Sequence, residues 1–165
     1  MQHDWSSFRL KISIKTDAPS IYRAWTTQEK LENWFLRKAE FTKQDGNKRD
    51  RNSALEVNDT YEWMWHGYGD DVIEKGTIMQ ANGKDFLQFS FGKAGNVSVN
   101  IKEEAGESMI ELVQDAIPTD EKGQVYYHLG CSKGWVFYLA NLKSILEGGI
   151  DLRNKKIELT EVINS

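Results

Sequence analysis

Phe8-Arg-Leu10-Lys-Ile12-Ser-Ile14-Lys15 alternates apolar and polar side chains, the pattern of a strand with one buried face. The period changes at Asp17-Ala-Pro19, where a capping carboxylate followed by proline predicts a helix that carries Ile21, Tyr22 and Trp25 inward. Thr26-Thr-Gln-Glu29 reads as a capping box, opening a second helix with Leu31, Trp34 and Phe35. A short strand is expected over residues 39–43. Residues 44–58 hold few apolar groups and many turn formers, so a mobile loop is expected there. Lys48, Arg49 and Arg51 alternate with Asp45 and Asp50, the mixed-sign pattern of a solvated loop and not of a phosphate site.

Tyr61, Trp63 and Trp65 fall on one face of the next strand. A turn at residues 67–71 leads to a returning strand over 72–80, and Asn82-Gly83 marks a tight hairpin. Strands over 86–91, 97–102 and 109–114 complete a meander. After Pro118 the period becomes helical: Cys131, Trp135, Leu139, Leu142 and Leu146 form a stripe that Tyr138 and Ile145 widen. This predicts a long helix from about Tyr127 to Glu147, stopped by Gly148-Gly149. The order is one strand, two short helices, about six strands and a long helix. A twisted sheet of that size needs a cover for its concave face, and the apolar stripe of the last helix supplies one. The predicted architecture is therefore a single α+β domain over residues 1–165, a curved antiparallel sheet wrapped around its C-terminal helix. Residues 151–165 are a C-terminal extension, read as an added strand or a partner-binding segment.

Acidic residues number 25 against 21 basic ones, an excess that argues against a partner bound through phosphate neutralisation, so no nucleic acid is expected. A single cysteine, Cys131, excludes an internal disulfide and fits a reducing compartment. With no apolar run long enough to span a bilayer and no signal-peptide pattern at the N-terminus, the expectation is a cytoplasmic protein without membrane insertion.

Three stretches carry a resemblance. They are Ala18-Pro-Ser-Ile-Tyr-Arg-Ala-Trp25-Thr26, Leu31-Glu-Asn-Trp34-Phe35, and the run from Gly134-Trp135 through Leu139 and Leu142 to Glu147. In this order and spacing they resemble the two early helices and the closing helix of the activator-of-heat-shock-protein-90-ATPase-homologue branch of the START-like, or SRPBCC, superfamily. The resemblance covers roughly residues 8–150. It implies a helix-grip fold with an apolar cavity between sheet and long helix, and a chaperone as an alternative partner. The chain departs from the family pattern with Asn58-Asp59 in place of Gly-Gly, Ala81-Asn82-Gly83 in place of Pro-Pro, Gln114 in place of a histidine, and a longer loop over 44–58.

The expected cavity lining is Trp34, Phe41, Tyr61, Trp63, Trp65, Phe89, Phe91, Gln114, His128, Cys131, Trp135 and Tyr138. Aromatic rings would supply affinity for a small apolar or aromatic ligand, with Gln114, His128 and Tyr61 orienting it. The same residues also suit an ordinary filled core. His128 and Cys131 stand three apart at the expected start of the long helix, but Cys131 is read as a small hydrophobe and not as a nucleophile. His3, His66 and His128 are scattered singly, so no metal site is predicted, and no cofactor fingerprint occurs. Asp70, Asp71 and Glu74 cluster at a turn and are read as surface acids. The sequence thus favours a non-enzymatic ligand-binding domain, with a chaperone-associated module or a cyclase- or hydrolase-like enzyme as alternatives.

Overall fold

The structure, a computed structural model, describes residues 3–163. Met1, Gln2, Asn164 and Ser165 lie outside that range, and with them the ends of the expected domain and tail.

The first strand, β1, spans Phe8–Ile14. Helix α1 follows over Ala18–Thr26, its first turn capped by Asp17, whose carboxylate accepts from the Ser20 N–H at 2.7 Å. Helix α2 spans Gln28–Trp34, and here the expected capping box is displaced by one residue. Thr27 is the cap, accepting from Lys30 N–H at 3.3 Å, while the Thr26 hydroxyl donates back to the Tyr22 carbonyl. Thr26 is thus still helical and cannot serve as a cap.

Strands β2 (Lys38–Thr42), β3 (Thr60–Met64), β4 (Glu74–Ala81), β5 (Phe86–Ser90), β6 (Asn96–Glu104) and β7 (Glu107–Asp115) form the meander. With β1 they make one seven-stranded antiparallel sheet in the order β1-β7-β6-β5-β4-β3-β2. Register puts like with like on the inner face: Leu10 stands beside Leu112, Leu112 beside Val99, and Val99 beside Leu87. The next inward row is Gln114, Val97, Phe89 and Ile78. Alternation with period two is what keeps these rows on one side.

The long helix begins earlier than its periodicity suggests. Its chain turns helical at Glu121, passes through a π-helical stretch over Gly123–Leu129, and continues as α3 over Gly130–Leu146. The apolar stripe starts only where α3 meets the sheet, so the exposed first turns carry no periodic signal. Gly148, at φ +82°, ends the helix, with Gly149 N–H bonding Ser144 O at 2.7 Å and Gly148 N–H bonding Ile145 O. A left-handed residue there satisfies the last carbonyls, and glycine adopts it without a Cβ clash.

One expectation about an irregular segment is corrected, and one that was left open is narrowed. The 44–58 loop is tied down. Arg49 N–H groups bond both oxygens of the buried Asp59 carboxylate, Arg51 reaches Glu32, and Leu55 is buried. Asp59 also accepts from the Glu56 N–H, so one ion pair closes the whole excursion. The tail forms no strand among its described residues. It is fastened by Arg153, whose guanidinium donates to the carbonyls of Glu32, Asn33 and Leu36 at the end of α2 and to Asp151. Asn141 on α3 completes the clasp, donating to Trp34 O and accepting from Leu152 N–H. Orphan carbonyls of a helix end thus receive a charged cap from more than a hundred residues away.

Removing that cap leaves the carbonyls of Glu32, Asn33 and Leu36 without their charged donor and takes the guanidinium from Asp151. Arg153→Ala is therefore expected to lower unfolding free energy by about 3 kcal/mol. Lys155→Ala, which removes an exposed ion pair to the same Asp151, should change it by less than about 1 kcal/mol. Urea denaturation measures both, and equal effects from the two substitutions would refute the docking role of Arg153.

Candidate functional site

The space between α3 and the sheet is filled at one end and open at the other. In the filled part Trp25 and Trp34 meet edge to face at 4.7 Å, and Trp34 Nε1–H donates to Ala24 O at 2.8 Å. Tyr61 stacks on Trp63 at 3.9 Å, and Trp63 in turn meets Phe89 at 5.1 Å. Trp34, Phe41, Tyr61, Trp63, Phe89 and Gln114 are each at most 2% exposed. Six of the twelve expected lining residues are therefore packed core, because aromatic rings of this size interdigitate fully across a gap of one sheet-to-helix spacing.

Two of the three polar groups expected to orient a ligand are already committed within this core. Gln114 accepts from Trp135 Nε1–H at 2.9 Å and donates to Ala94 O at 2.8 Å, so it seats the helix. The Tyr61 hydroxyl donates to Ser90 O at 2.6 Å, and burial pushes its phenol well above the ordinary range. The third, His128, faces away from the gap. Its Nδ1 lies 3.0 Å from Trp5 O, its Nε2 lies 3.2 Å from His3 Nε2, and its ring packs on Trp5 and Phe8. The π-helical stretch explains the separation. Its wider turn breaks the three-residue relation that would have put His128 and Cys131 on one face.

The open end is a cleft of about 280 Å³. Phe35, Trp65, Phe91, Cys131, Trp135 and Tyr138 form its walls, and Tyr68, Val72 and Tyr126 stand at the rim. Trp65, Phe91, Cys131, Trp135 and Tyr138 were thus expected and are brought together; Phe35 and the rim residues were not. The cleft is left room because two of the α3 positions that line it, among Cys131, Trp135 and Tyr138, carry no side chain. Gly130 and Gly134, one helical turn apart, both line it, and a Cβ built on Gly134 would meet no atom within 4 Å. Helical glycines at that spacing, flanking Cys131 and Trp135 of the apolar stripe, were the available sequence signal.

The wall is apolar, with few polar groups. The Tyr138 hydroxyl bonds no described residue, and burial raises its phenol well above the ordinary range. Cys131 sits ten residues into the helical run, far from any helix N-terminus, and burial pushes its thiol up although Gln114 pulls the other way. Among the described residues no three His, Cys, Asp or Glu side chains gather to hold a metal ion.

A seven-stranded sheet gripping one long helix is the START-like fold. Solved structures share it at low identity. The protein SSP2350 from Staphylococcus saprophyticus is 18% identical, with a TM-score of 0.69 over 89% of this chain and 96% of its own. The Aha1 dimer from Colwellia psychrerythraea is 15% identical, with a TM-score of 0.66 over 87% of this chain and 97% of its own. DynU16, from the dynemicin biosynthetic locus, is 15% identical, with a TM-score of 0.64 over 87% of this chain and 48% of its own. A search of curated proteins by sequence found no match. Residues 15–147 match the family Activator of Hsp90 ATPase homolog 1-like protein, and the chain belongs to it.

A thiol held neutral by burial reacts slowly. Alkylation of Cys131 by iodoacetamide at pH 8 is expected to be at least about tenfold slower than that of a free cysteine. Mass spectrometry over time measures it, and a rate matching or exceeding the free thiol would mean an activated cysteine.

Proposed function

We propose that this protein is a non-enzymatic binder of a small apolar or aromatic molecule, which enters the cleft between α3 and the sheet. The observation that carries the reading is the hollow beneath Gly130 and Gly134. Each glycine in a helix costs about 1 kcal/mol relative to alanine, so a sequence selected for packing alone would fill both positions. The size supports a compact ligand, since about 280 Å³ lies near the lower end of known small-molecule sites. Burying roughly 200 Å² of apolar ligand surface gives about 5 kcal/mol before association costs, which points to millimolar affinity unless polar contacts add to it. Binding is favoured over turnover because the ionisable groups of the wall, Cys131 and Tyr138, are both shifted away from neutrality.

Gly134→Leu restores a helix former at a lining position whose Cβ would have open space around it. The test is a titration of labelled protein with lipids, aromatic polyketides, flavonoids and the indole alcohol tryptophol, followed in the tryptophan Nε1–H region of an NMR spectrum. Wild type should shift at Trp65 and Trp135 with at least one ligand, and Gly134→Leu should weaken that binding about tenfold or more while keeping or raising stability. Silence across the panel, or unchanged binding by Gly134→Leu, would sink the proposal.

A second reading rests on the family description, which names an activator of the Hsp90 ATPase. It places recognition on the outer surface, independent of the cleft. A pull-down with the Hsp90 homologue of the source cell should then capture wild type and Gly134→Leu equally, and failure to capture either removes this reading.

A further inference from the structure

Glu74 departs from its two acidic neighbours. Asp70 and Asp71 are exposed, and Asp70 pairs with Arg37, as suits a turn. Glu74 begins β4 on the inward phase of that strand, in register with Trp63 and two residues before Gly76 and four before the buried Ile78. Its carboxylate lies against the backbone of Gly92, in the space a Cβ at that position would occupy. Gly92 has φ +50°, so both its conformation and this contact call for glycine. The expectation of a solvated surface acid is thereby corrected for this one residue.

The carboxylate is not one of the groups lining the cleft but lies close behind its wall. Val72 of the rim stands two positions earlier, Phe91 of the wall adjoins Gly92, and the Cys131 thiol opposite feels the Glu74 charge, as does the Tyr61 phenol. Yet among the described residues no cation pairs with it. Lys75, its neighbour, turns outward to Glu62, and the only hydrogen bond Glu74 receives is from the Lys75 backbone N–H. Burial accordingly raises its carboxyl above the ordinary range. A half-buried acid without a counter-ion among the described residues, one residue from Phe91 of an aromatic wall that also holds Trp65 and Trp135, is half of an ammonium site. The rings offer their negative faces to a cation, and the carboxylate offers a charged acceptor.

We infer that Glu74 selects the charge of the ligand, and that the cleft takes an apolar or aromatic body carrying a protonated amine. The inference rests on the cleft being a binding site and adds the chemical class of its occupant. An amine seated there would supply the missing counter-ion and hold Glu74 ionised.

Tryptamine and tryptophol share one body and differ in ammonium against hydroxyl, so the pair isolates charge. By NMR titration at physiological ionic strength, wild type should bind tryptamine about tenfold more tightly than tryptophol. Glu74→Gln should abolish that preference while leaving tryptophol affinity within about twofold, and Asp71→Asn, a change in an exposed acid close by, should preserve it. Equal affinities in wild type overturn the inference while leaving the cleft a binding site. A preference that survives in Glu74→Gln, or is lost in Asp71→Asn, assigns it to the general acidic surface and also overturns it. If neither compound binds wild type at millimolar concentration, the inference falls; the wider ligand panel then decides separately whether the cleft binds anything.

Discussion

An indole is hard to bury whole, because its ring wants an apolar setting and its N–H wants an acceptor. Trp135 meets both demands at one point, by donating to the Oε1 of Gln114 on β7. Gln114 in turn must spend its amide, and does so on Ala94 O, so the chain of bonds closes without a loose end. This link fixes how α3 is rotated about its own axis. With Trp135 committed, Leu139 and Leu142 face the filled half of the sheet, while Gly130 and Gly134 pass over the other half. Where the molecule is solid and where it is hollow follows from that rotation.

The solid half is also what makes the hollow half durable. Trp34 is held by Ala24, Phe35 stacks on it at 5.2 Å and tilts against Trp135 at 5.0 Å, and these contacts place Phe35 in the wall. Arg153 secures the same corner from outside, by capping the carbonyls of Glu32, Asn33 and Leu36. A wall built this way resists collapse, because filling the cleft would require moving rings already packed on three sides. An apolar hollow in a yielding core would have closed on itself.

What was legible in the sequence was what is local. The alternation from Phe8 to Ile14, the Asp17 cap, the Asn82-Gly83 turn and the Gly148 stop all express backbone preferences over a few residues, and each is found. The resemblance then supplied the arrangement of those pieces, and with it the fold. What stayed hidden are pairs far apart in the chain. Arg49 and Asp59 are the clearest instance, since an arginine inside the 44–58 loop and an acid just after it form one ion pair. Asp59 can be buried there because this loop returns an arginine to meet it. Arg153 was illegible for the same reason. Strand phase says which residues face inward but not how deep the helix sits, so five of the twelve expected residues meet at the cleft and six pack in the core.

The π-helical stretch is where the two halves of the molecule are reconciled. Gly123 there packs so close to the Pro118 carbonyl that no Cβ fits, which forces the helix to start tight against the end of β7. From that fixed start, a regular α-helix could not serve both ends, since His128 must reach back to Trp5 while Trp135 must reach Gln114. One wide turn absorbs the mismatch, at the cost of poorer hydrogen-bond geometry. It also places Tyr126 outward at the rim, facing the Tyr68 and Val72 side of the opening. Such stretches persist when something beyond helix stability holds them, and here the constraint is mechanical: the helix is pinned at three points, and the cleft opens between the second and the third.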